Sequence, residues 1–477
     1  MGKTKVPIVA IVGRANVGKS SIFNVVLGRR EAIVAEEAGT TRDSISAKAS
    51  YLDKEFWLVD TAGMKIAEDD FELTIQEQIT EAADVADVIL VVIEAHTGII
   101  EEDRRVAKLA LKSKKPVVLV VNKGDQAQKA SENDYRGLGI KEIYITAVPQ
   151  RRGFEELFEH VASLIPPATI KEASDRINVA LLGRPNVGKS ALFNALAKKQ
   201  QAIVADRAGT TRDINRSIVK YQEREIQIMD TAGIRKSGKI EVGIEKFSVL
   251  RTIQAIEEAD ICLFLMDANE LNTQMDQKIA GMIKEAGKGL VIVVSKWDAV
   301  EGKDAYTRDA IAPKILYNFQ FVPFAPLIFT SSVTGHNVSK LYDLFLDIEK
   351  ARAQKIKTSD LNNWLADCID KHPPAGLKNR QPKINYVTQT DDETPTFKFF
   401  GAHTKFLHWS FKRYLEKEMR AKFGFEGTPV KFLFSEKHVT HRHGNKDSLD
   451  WKKGLRPEQL PKNREKYAKS NASKKSR

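Results

Sequence analysis

A tandem repeat constrains this chain more than any other feature. GRANVGKSSIFN at residues 13–24 returns as GRPNVGKSALFN at 183–194, AIVAEEAGTTRD at 32–43 returns as AIVADRAGTTRD at 202–213, and DTAG at 60–63 returns at 230–233. All three pairs are offset by 170 residues, so spacing inside each copy is the same and one folding unit must be present twice. LIPPATIKEASD at 164–175 joins the copies, and its adjacent prolines end the preceding helix. Short apolar runs alternate with longer amphipathic stretches: PIVAIVG, FWLVD, DVILVVIE and PVVLVVN in the first copy, INVALLG, IQIMD, DICLFLMD and LVIVVS in the second. That alternation predicts a mostly parallel sheet with helices on both faces, an α/β fold. The repeated motifs fall at the C-terminal ends of these runs, where such sheets bind ligands.

Each G-x-x-x-x-G-K-S follows a strand-like run and opens a helix-like one. In that setting Gly13, Gly18, Gly183 and Gly188 let backbone N–H groups turn inward on phosphate, next to a helix N-terminus. Lys19 and Lys189 then reach the β- and γ-phosphates, while the hydroxyls of Ser20 and Ser190 ligate Mg2+. A glycine turn with a surface lysine is the plainer alternative, and the double occurrence between strand and helix weighs against it. Asp60 and Asp230 close apolar runs, a place from which a carboxylate holds Mg2+. Gly63 and Gly233 offer a backbone N–H to the γ-phosphate without a side chain in the way. Thr41 and Thr211 lie in polar loops, where a switch hydroxyl senses Mg2+ and γ-phosphate.

NKGD at 122–125 chooses the base. Asp125 can accept two hydrogen bonds, from guanine N1–H and the N2 amine, a pair that adenine does not present. Asn122 can donate from the other side, the Lys123 stem can lie along the ring, and YITAV brings Thr146 and the Ala147 N–H to the guanine carbonyl. A kinase or ATPase reading loses here. The second copy reads SKWD at 295–298: Ser295 replaces Asn, Lys296 and Asp298 remain, and Ser331 and Ser332 follow later. The shorter side chain is expected to weaken one base contact and one tie to the phosphate loop, each a neutral hydrogen bond of about 0.5–1.5 kcal/mol. Asp298 keeps the stronger charge-assisted bonds, so this site is expected to bind guanine nucleotide less tightly rather than not at all.

Charge points to a partner. Of the net +12, residues 1–354 contribute almost nothing, with 48 basic against 49 acidic, whereas 355–477 hold 27 against 14 and 441–477 hold 12 against 4. A concentrated excess favours contact with a polyanion, the alternative being a solvated tail. His438, His441 and His443 lack an acidic or cysteine neighbour and read as part of that basic end, not a metal site. Apolar stretches such as VADVILVVIEA fall far short of the roughly 20 residues of a bilayer span. MGKTKVPIVA lacks the parts of a signal peptide, and two cysteines, Cys262 and Cys368, make no disulfide framework. A reducing, cytoplasmic setting is expected.

With GRANVGKS, DTAG, NKGD and GRPNVGKS, DTAG, SKWD followed by one basic domain, the chain resembles the Der (EngA) family of double-Era-like GTPases over residues 6–436. The resemblance implies two tandem P-loop GTPase domains, 1–166 and 176–354, a short linker 167–175 and an α+β KH-like domain 355–440, while the stretch 441–477 extends beyond it and is expected from its charge to be a basic, disordered tail. It further implies a bacterial GTPase, monomeric and cytoplasmic, that uses GTP/GDP and Mg2+, binds the large ribosomal subunit and its rRNA, and helps that subunit assemble. KRYLEKEMR followed by GTPVKF is the clearest KH-like piece. RNA-gripping KH domains use a G-x-x-G loop, and PPAGLKNR holds only Gly376. Docking against a GTPase domain and RNA contact through exposed cations both stay open.

Hydrolysis needs an unusual helper. Many GTPases place a Gln after Asp-x-x-Gly to orient water, but Met64 and Ile234 stand here. Asn16 and Asn186 resemble the phosphate-loop asparagine of GTPases that bind K+, a cation that would supply the charge of an arginine finger. A plainer role for asparagine is to tolerate positive φ. The second functional reading is an RNA-binding scaffold with partly degenerate nucleotide sites. A third, a GTPase of tRNA modification or translation, should bring a cofactor or tRNA domain, and none is visible.

Overall fold

The computed structural model describes residues 3–4, 6–27, 46–52, 54–61, 75–127, 131–166, 170–171, 176–199, 215–230, 248–304, 306–377 and 380–436. In the first copy the elements are β1 (Lys3–Thr4), β2 (Ile8–Val12), α1 (Lys19–Leu27), β3 (Ser46–Tyr51), β4 (Lys54–Asp60), α2 (Ile75–Val85), β5 (Val88–Glu94), α3 (Glu101–Lys112), β6 (Val117–Asn122), β7 (Glu142–Ile145) and α4 (Phe154–Leu164). Its six-stranded sheet has the order β3-β4-β2-β5-β6-β7, antiparallel between β3 and β4 and parallel elsewhere. The all-apolar runs occupy the centre because a strand covered on both faces must bury every side chain, as IVAIV of β2 does.

After β8 (Ile170–Lys171), the second copy repeats the plan with β9 (Ile177–Gly183), α5 (Lys189–Lys199), β10 (Asn215–Tyr221), β11 (Arg224–Asp230), α6 (Val249–Glu258), β12 (Ile261–Asp267), α7 (Gln274–Glu285), β13 (Gly289–Ser295), α8 (Thr307–Asn318), β14 (Leu327–Phe329) and α9 (Lys340–Ala353). The sheet order is β10-β11-β9-β12-β13-β14. Inside the expected linker, β8 pairs antiparallel with β1, Thr4 opposite Ile170.

A third unit comprises α10 (Thr358–Lys371), β15 (Lys383–Gln389), β16 (Thr396–Ala402), α11 (Trp409–Phe423) and β17 (Lys431–Glu436). Its sheet runs β15-β16-β17, antiparallel then parallel. Leu361, Trp364, Leu365 and Cys368 form a helical stripe on α10 that packs with Phe411, Leu415 and Met419 of α11 around Phe397 and Phe399.

The two copies share one apolar cluster, in which Trp57, Ile79 and Ala82 meet Val249, Leu250 and Ile253. Three glutamates tie them together. The Glu257 carboxylate accepts the Trp57 Nε1–H at 2.7 Å and the Val6 N–H at 3.4 Å, Glu285 accepts the Lys48 N–H at 2.7 Å, and Glu81 lies 3.6 Å from Arg251. The third unit docks on the second copy: Leu290 N–H donates to Gly427 O at 2.9 Å and Gly427 N–H to Phe324 O at 2.7 Å. Lys288 Nζ joins Glu257 O to Glu393 at 3.4 and 3.2 Å. Among the described residues no helix is long and apolar enough to cross a membrane. Residues 437–477, which include His438, His441 and His443 and the tail 441–477, lie outside the described residues.

Candidate nucleotide sites

Each phosphate loop leaves its central strand at Gly13 or Gly183 and enters a helix at Lys19 or Lys189. Lys19 Nζ donates to Gly13 O at 2.7 Å and Arg14 O at 2.5 Å, and Lys189 Nζ to Gly183 O at 3.1 Å and Arg184 O at 2.7 Å. Both ammonium groups thus lie inside the curve of the loop. Burial pushes the Lys19 pKa down, against the pull of Asp60; a phosphate arriving there relieves a buried cation.

Behind each loop a hydroxyl meets a carboxylate. Ser20 Oγ donates to Asp60 Oδ2 at 2.5 Å, and Ser190 Oγ to Asp230 Oδ2 at 2.8 Å. These hard oxygen ligands suit Mg2+, which takes one or two protein oxygens together with water and substrate phosphates. One hydroxyl and one carboxylate in each copy is a donor set that fits an ion completed by nucleotide and water. Thr41, Thr211, Gly63 and Gly233, with Met64 and Ile234, lie outside the described residues.

Asn122 ties base motif to phosphate loop: its Nδ2 donates to Val17 O at 2.9 Å, and its Oδ1 accepts the Thr146 hydroxyl at 3.3 Å. Ser295 keeps the first tie, with Oγ 2.5 Å from Val187 O and 2.9 Å from Met266 O. This corrects the expected weakening of that link. The shorter side chain reaches because the serine hydroxyl sits directly under the loop carbonyl. What the serine lacks is the amide oxygen, and the Thr330 hydroxyl turns to Val294 O at 3.5 Å. Lys123 and Lys296 both take left-handed backbone, φ 60 and 54, and their ammonium groups are anchored at 2.9 Å on Glu94 and 2.7 Å on Asp267. The Lys123 hydrogen bond holds the Glu94 carboxyl below its ordinary range. Asp125 and Asp298 are exposed beside these stems.

Two details of the base loop differ from expectation. Thr146 N–H meets Val121 O and Thr330 N–H meets Val294 O, each at 2.8 Å, so Thr330 is the counterpart of Thr146 and Ser331 that of Ala147. Ser332 falls one residue too far. The Ala147 N–H is taken by Arg152 O at 3.1 Å, and that of Ser331 by His336 O at 3.2 Å. Meeting a guanine carbonyl would require those bonds to be given up.

Asn16 and Asn186 are exposed on their loops at φ 63 and 61, a geometry that suits both of their readings. The arginine beside each first glycine has a part that the motif alone does not mark. Arg14 lies 3.4 Å from buried Asp103 and 2.6 Å from Thr97 Oγ1, and Arg184 lies 3.0 Å from buried Asp276 and 2.9 Å from Glu270. Each guanidinium clamps its phosphate loop to the third helix of its copy, and its repetition in register was the available signal.

A family model described as 50S ribosome-binding GTPase matches residues 8–123 and again 178–296. A second, described as the C-terminal KH-domain-like region of EngA bacterial GTPase enzymes, matches 355–435. GTPase Der of Chloroflexus aggregans is 40% identical over 438 residues, covering 90% of this chain and 97% of that protein. GTPase Der of Geobacillus sp. is 41% identical over 429 residues, covering 90% and 98%. GTPase Der of Gemmatimonas aurantiaca is 36% identical over 435 residues, covering 91% and 99%. Similarity over nine-tenths of the chain, two matches to the GTPase family model and the appended KH-like unit have one meaning: the chain belongs to the Der family of GTPases, enzymes that bind GTP and GDP with Mg2+.

Proposed function

We propose that this protein is a monomeric, cytoplasmic GTPase with two working sites, stimulated by K+, that acts on the large ribosomal subunit and its rRNA during assembly. The observation that carries the enzyme reading over the scaffold is the wiring of base motif to phosphate loop in both copies, Asn122 to Val17 O and Ser295 to Val187 O. A decayed site would have no reason to keep that contact. The ribosomal part is supported by the family model's description as a 50S ribosome-binding GTPase and by the basic excess after residue 354.

In this reading Gly13, Gly18, Gly183, Gly188, Gly63 and Gly233 open the backbone to phosphate oxygens, while Lys19 and Lys189 hold the β- and γ-phosphates. Ser20, Thr41 and Asp60, with Ser190, Thr211 and Asp230, hold Mg2+, which when bound neutralises charge on the β- and γ-oxygens. Asn122, Lys123, Asp125, Thr146 and Ala147 recognise guanine in the first copy. Ser295, Lys296, Asp298 and Ser331 do so in the second, with Thr330 rather than Ser332 beside Ser331. Asn16 and Asn186 offer an amide oxygen to K+, whose charge answers the negative charge of the transition state where Met64 and Ile234 cannot orient water.

The test compares GTP turnover in KCl and NaCl for the wild type and for Asn16→Gly/Asn186→Gly, since glycine keeps the positive φ and removes the amide. Faster turnover in KCl, lost in the variant with nucleotide affinity retained, is expected; equal rates in both salts, or stimulation kept by the variant, refutes the potassium site. Co-sedimentation with ribosomal subunits should depend on GDP against a non-hydrolysable GTP analogue. Nucleotide-independent association would favour the scaffold.

A further inference from the structure

Helix α3 presents a row of cations that the nucleotide site does not use. Arg104, Lys108 and Lys112 are spaced i, i+4, i+8 and all are exposed. Such residues share one helix face at steps of about 6 Å. The acidic residues of α3 are confined to its first turn, where Asp103 is buried on Arg14 and Glu101 lies 3.8 Å from Arg105. Within the described residues none of the three cations has an ion-pair partner. Together with Leu111, Gly137 and Leu138 they line an open groove of about 440 Å3, whose apolar floor includes Leu111, 42% exposed.

The duplication supplies an internal control. With β5 and β12 aligned at Val88 and Ile261, Arg104, Lys108 and Lys112 correspond to Gln277, Gly281 and Glu285 of α7. There the end of the same face is a docking contact: α7 packs on β3 of the first copy, and Glu285 takes the Lys48 N–H at 2.7 Å. The first copy leaves this face open and makes it cationic, although residues 1–354 as a whole carry 48 basic against 49 acidic residues. The row is therefore not part of a generally basic background.

We propose that this groove, between α3 and residues 137–138, docks the sugar-phosphate backbone of RNA. A protein partner would need roughly 800 Å2 per side and a well-packed central anchor, and the groove offers one exposed leucine. A phosphate backbone needs evenly spaced, unpaired cations, and the small apolar floor accepts a sugar or base edge. The proposal rests on the ribosomal reading above and adds a second RNA surface, on the first GTPase domain, to the basic C-terminal end.

The test uses the full chain and a single-stranded RNA carrying 4-thiouridine. The variant Arg104→Gln/Lys108→Gln/Lys112→Gln should flatten the slope of log affinity against log KCl by about 2, at about 0.7 per lost phosphate contact. Its GTP turnover and helical circular dichroism should stay unchanged, and wild-type photo-crosslinks should fall within residues 104–112 or 137–138. An unchanged slope, or crosslinks only elsewhere, overturns the proposal. So does a variant that loses binding to poly-glutamate but not to RNA, which would make the groove a site for an acidic protein. Wild-type protein that fails to sediment with ribosomal subunits defeats the ribosomal reading itself; wild-type sedimentation with an unchanged variant slope defeats the groove alone.

Discussion

Exchanging Asn122 and Ser295 between the copies measures what the serine costs the second site. Both side chains reach the phosphate loop, at 2.9 Å to Val17 O and 2.5 Å to Val187 O, so that contact cancels. The difference left is the asparagine amide: one further donor for the base and the oxygen that the Thr146 hydroxyl meets at a long 3.3 Å. A neutral hydrogen bond nets about 0.5–1.5 kcal/mol, which is at most about tenfold in affinity. Room exists for the larger residue, because a Cβ on Gly188 would find Ser295 Cβ no nearer than 3.9 Å, whereas a Cβ on Gly18 would lie 2.2 Å from Asn122 Nδ2. The assay is fluorescent-GDP titration of full chains with the other site silenced by Lys19→Ala or Lys189→Ala. Ser295→Asn should tighten the second site, and Asn122→Ser loosen the first, each by up to about tenfold. A loss of more than about a hundredfold in the first site would mean that the loop contact does not cancel. No change in either site would show that water or the serine hydroxyl already serves the base.

The same space predicts unequal tolerance of alanine. Gly18→Ala should abolish nucleotide binding at the first site through collision with Asn122, while Gly188→Ala, equally strained at φ +93, should retain measurable binding; equal losses by titration would refute this. Asp125→Asn should move the first site, with the second silenced, toward xanthine nucleotide, and an unchanged preference for GTP would remove Asp125 from base recognition. Burial pushes the Glu285 carboxyl up from 4.5 to about 7, against its hydrogen bond from the Lys48 N–H and the Lys48 charge. The folded protein then holds that proton more tightly than the unfolded chain, so stability falls as pH rises from about 4.5 through about 7, by at most about 3 kcal/mol. Glu285→Gln should flatten the melting temperature over that window, and parallel profiles for variant and wild type would refute the assignment.

The central strands were legible because residues buried on both faces of a sheet must be apolar in sequence, as in DVILVVIE and PVVLVVN. The outer strands were not. SAKASY and NRSIVKY mix polar and apolar residues at a sheet edge, and the three-residue LIF of β14 carries no turn signal to set its register. Without that register the spacing points to Ser332, whereas the fold puts Thr330 opposite Val294. The nucleotide motifs were legible since each is a contiguous loop between strand and helix. The contacts between motifs were not, because the 2.5 Å reach of Ser295 to Val187 O and the clamp of Arg14 on Asp103 join residues 108 and 89 positions apart. Nothing local in either segment announces its partner.

The bridge from Trp57 to Glu257 also limits how far this architecture can extend. Head-to-tail joining of like units has no built-in end, and open arrays are its natural outcome. Here the first copy offers an indole N–H and the second a carboxylate that takes it. The position of the second copy that matches Trp57 is Gln227, opposite Asn178 as Trp57 is opposite Ile8. A third GTPase unit docked by the same rule would find no indole to receive. Divergence at one residue makes the pair self-terminating, and the KH-like unit docks elsewhere on the second copy, through Lys288 to Glu393.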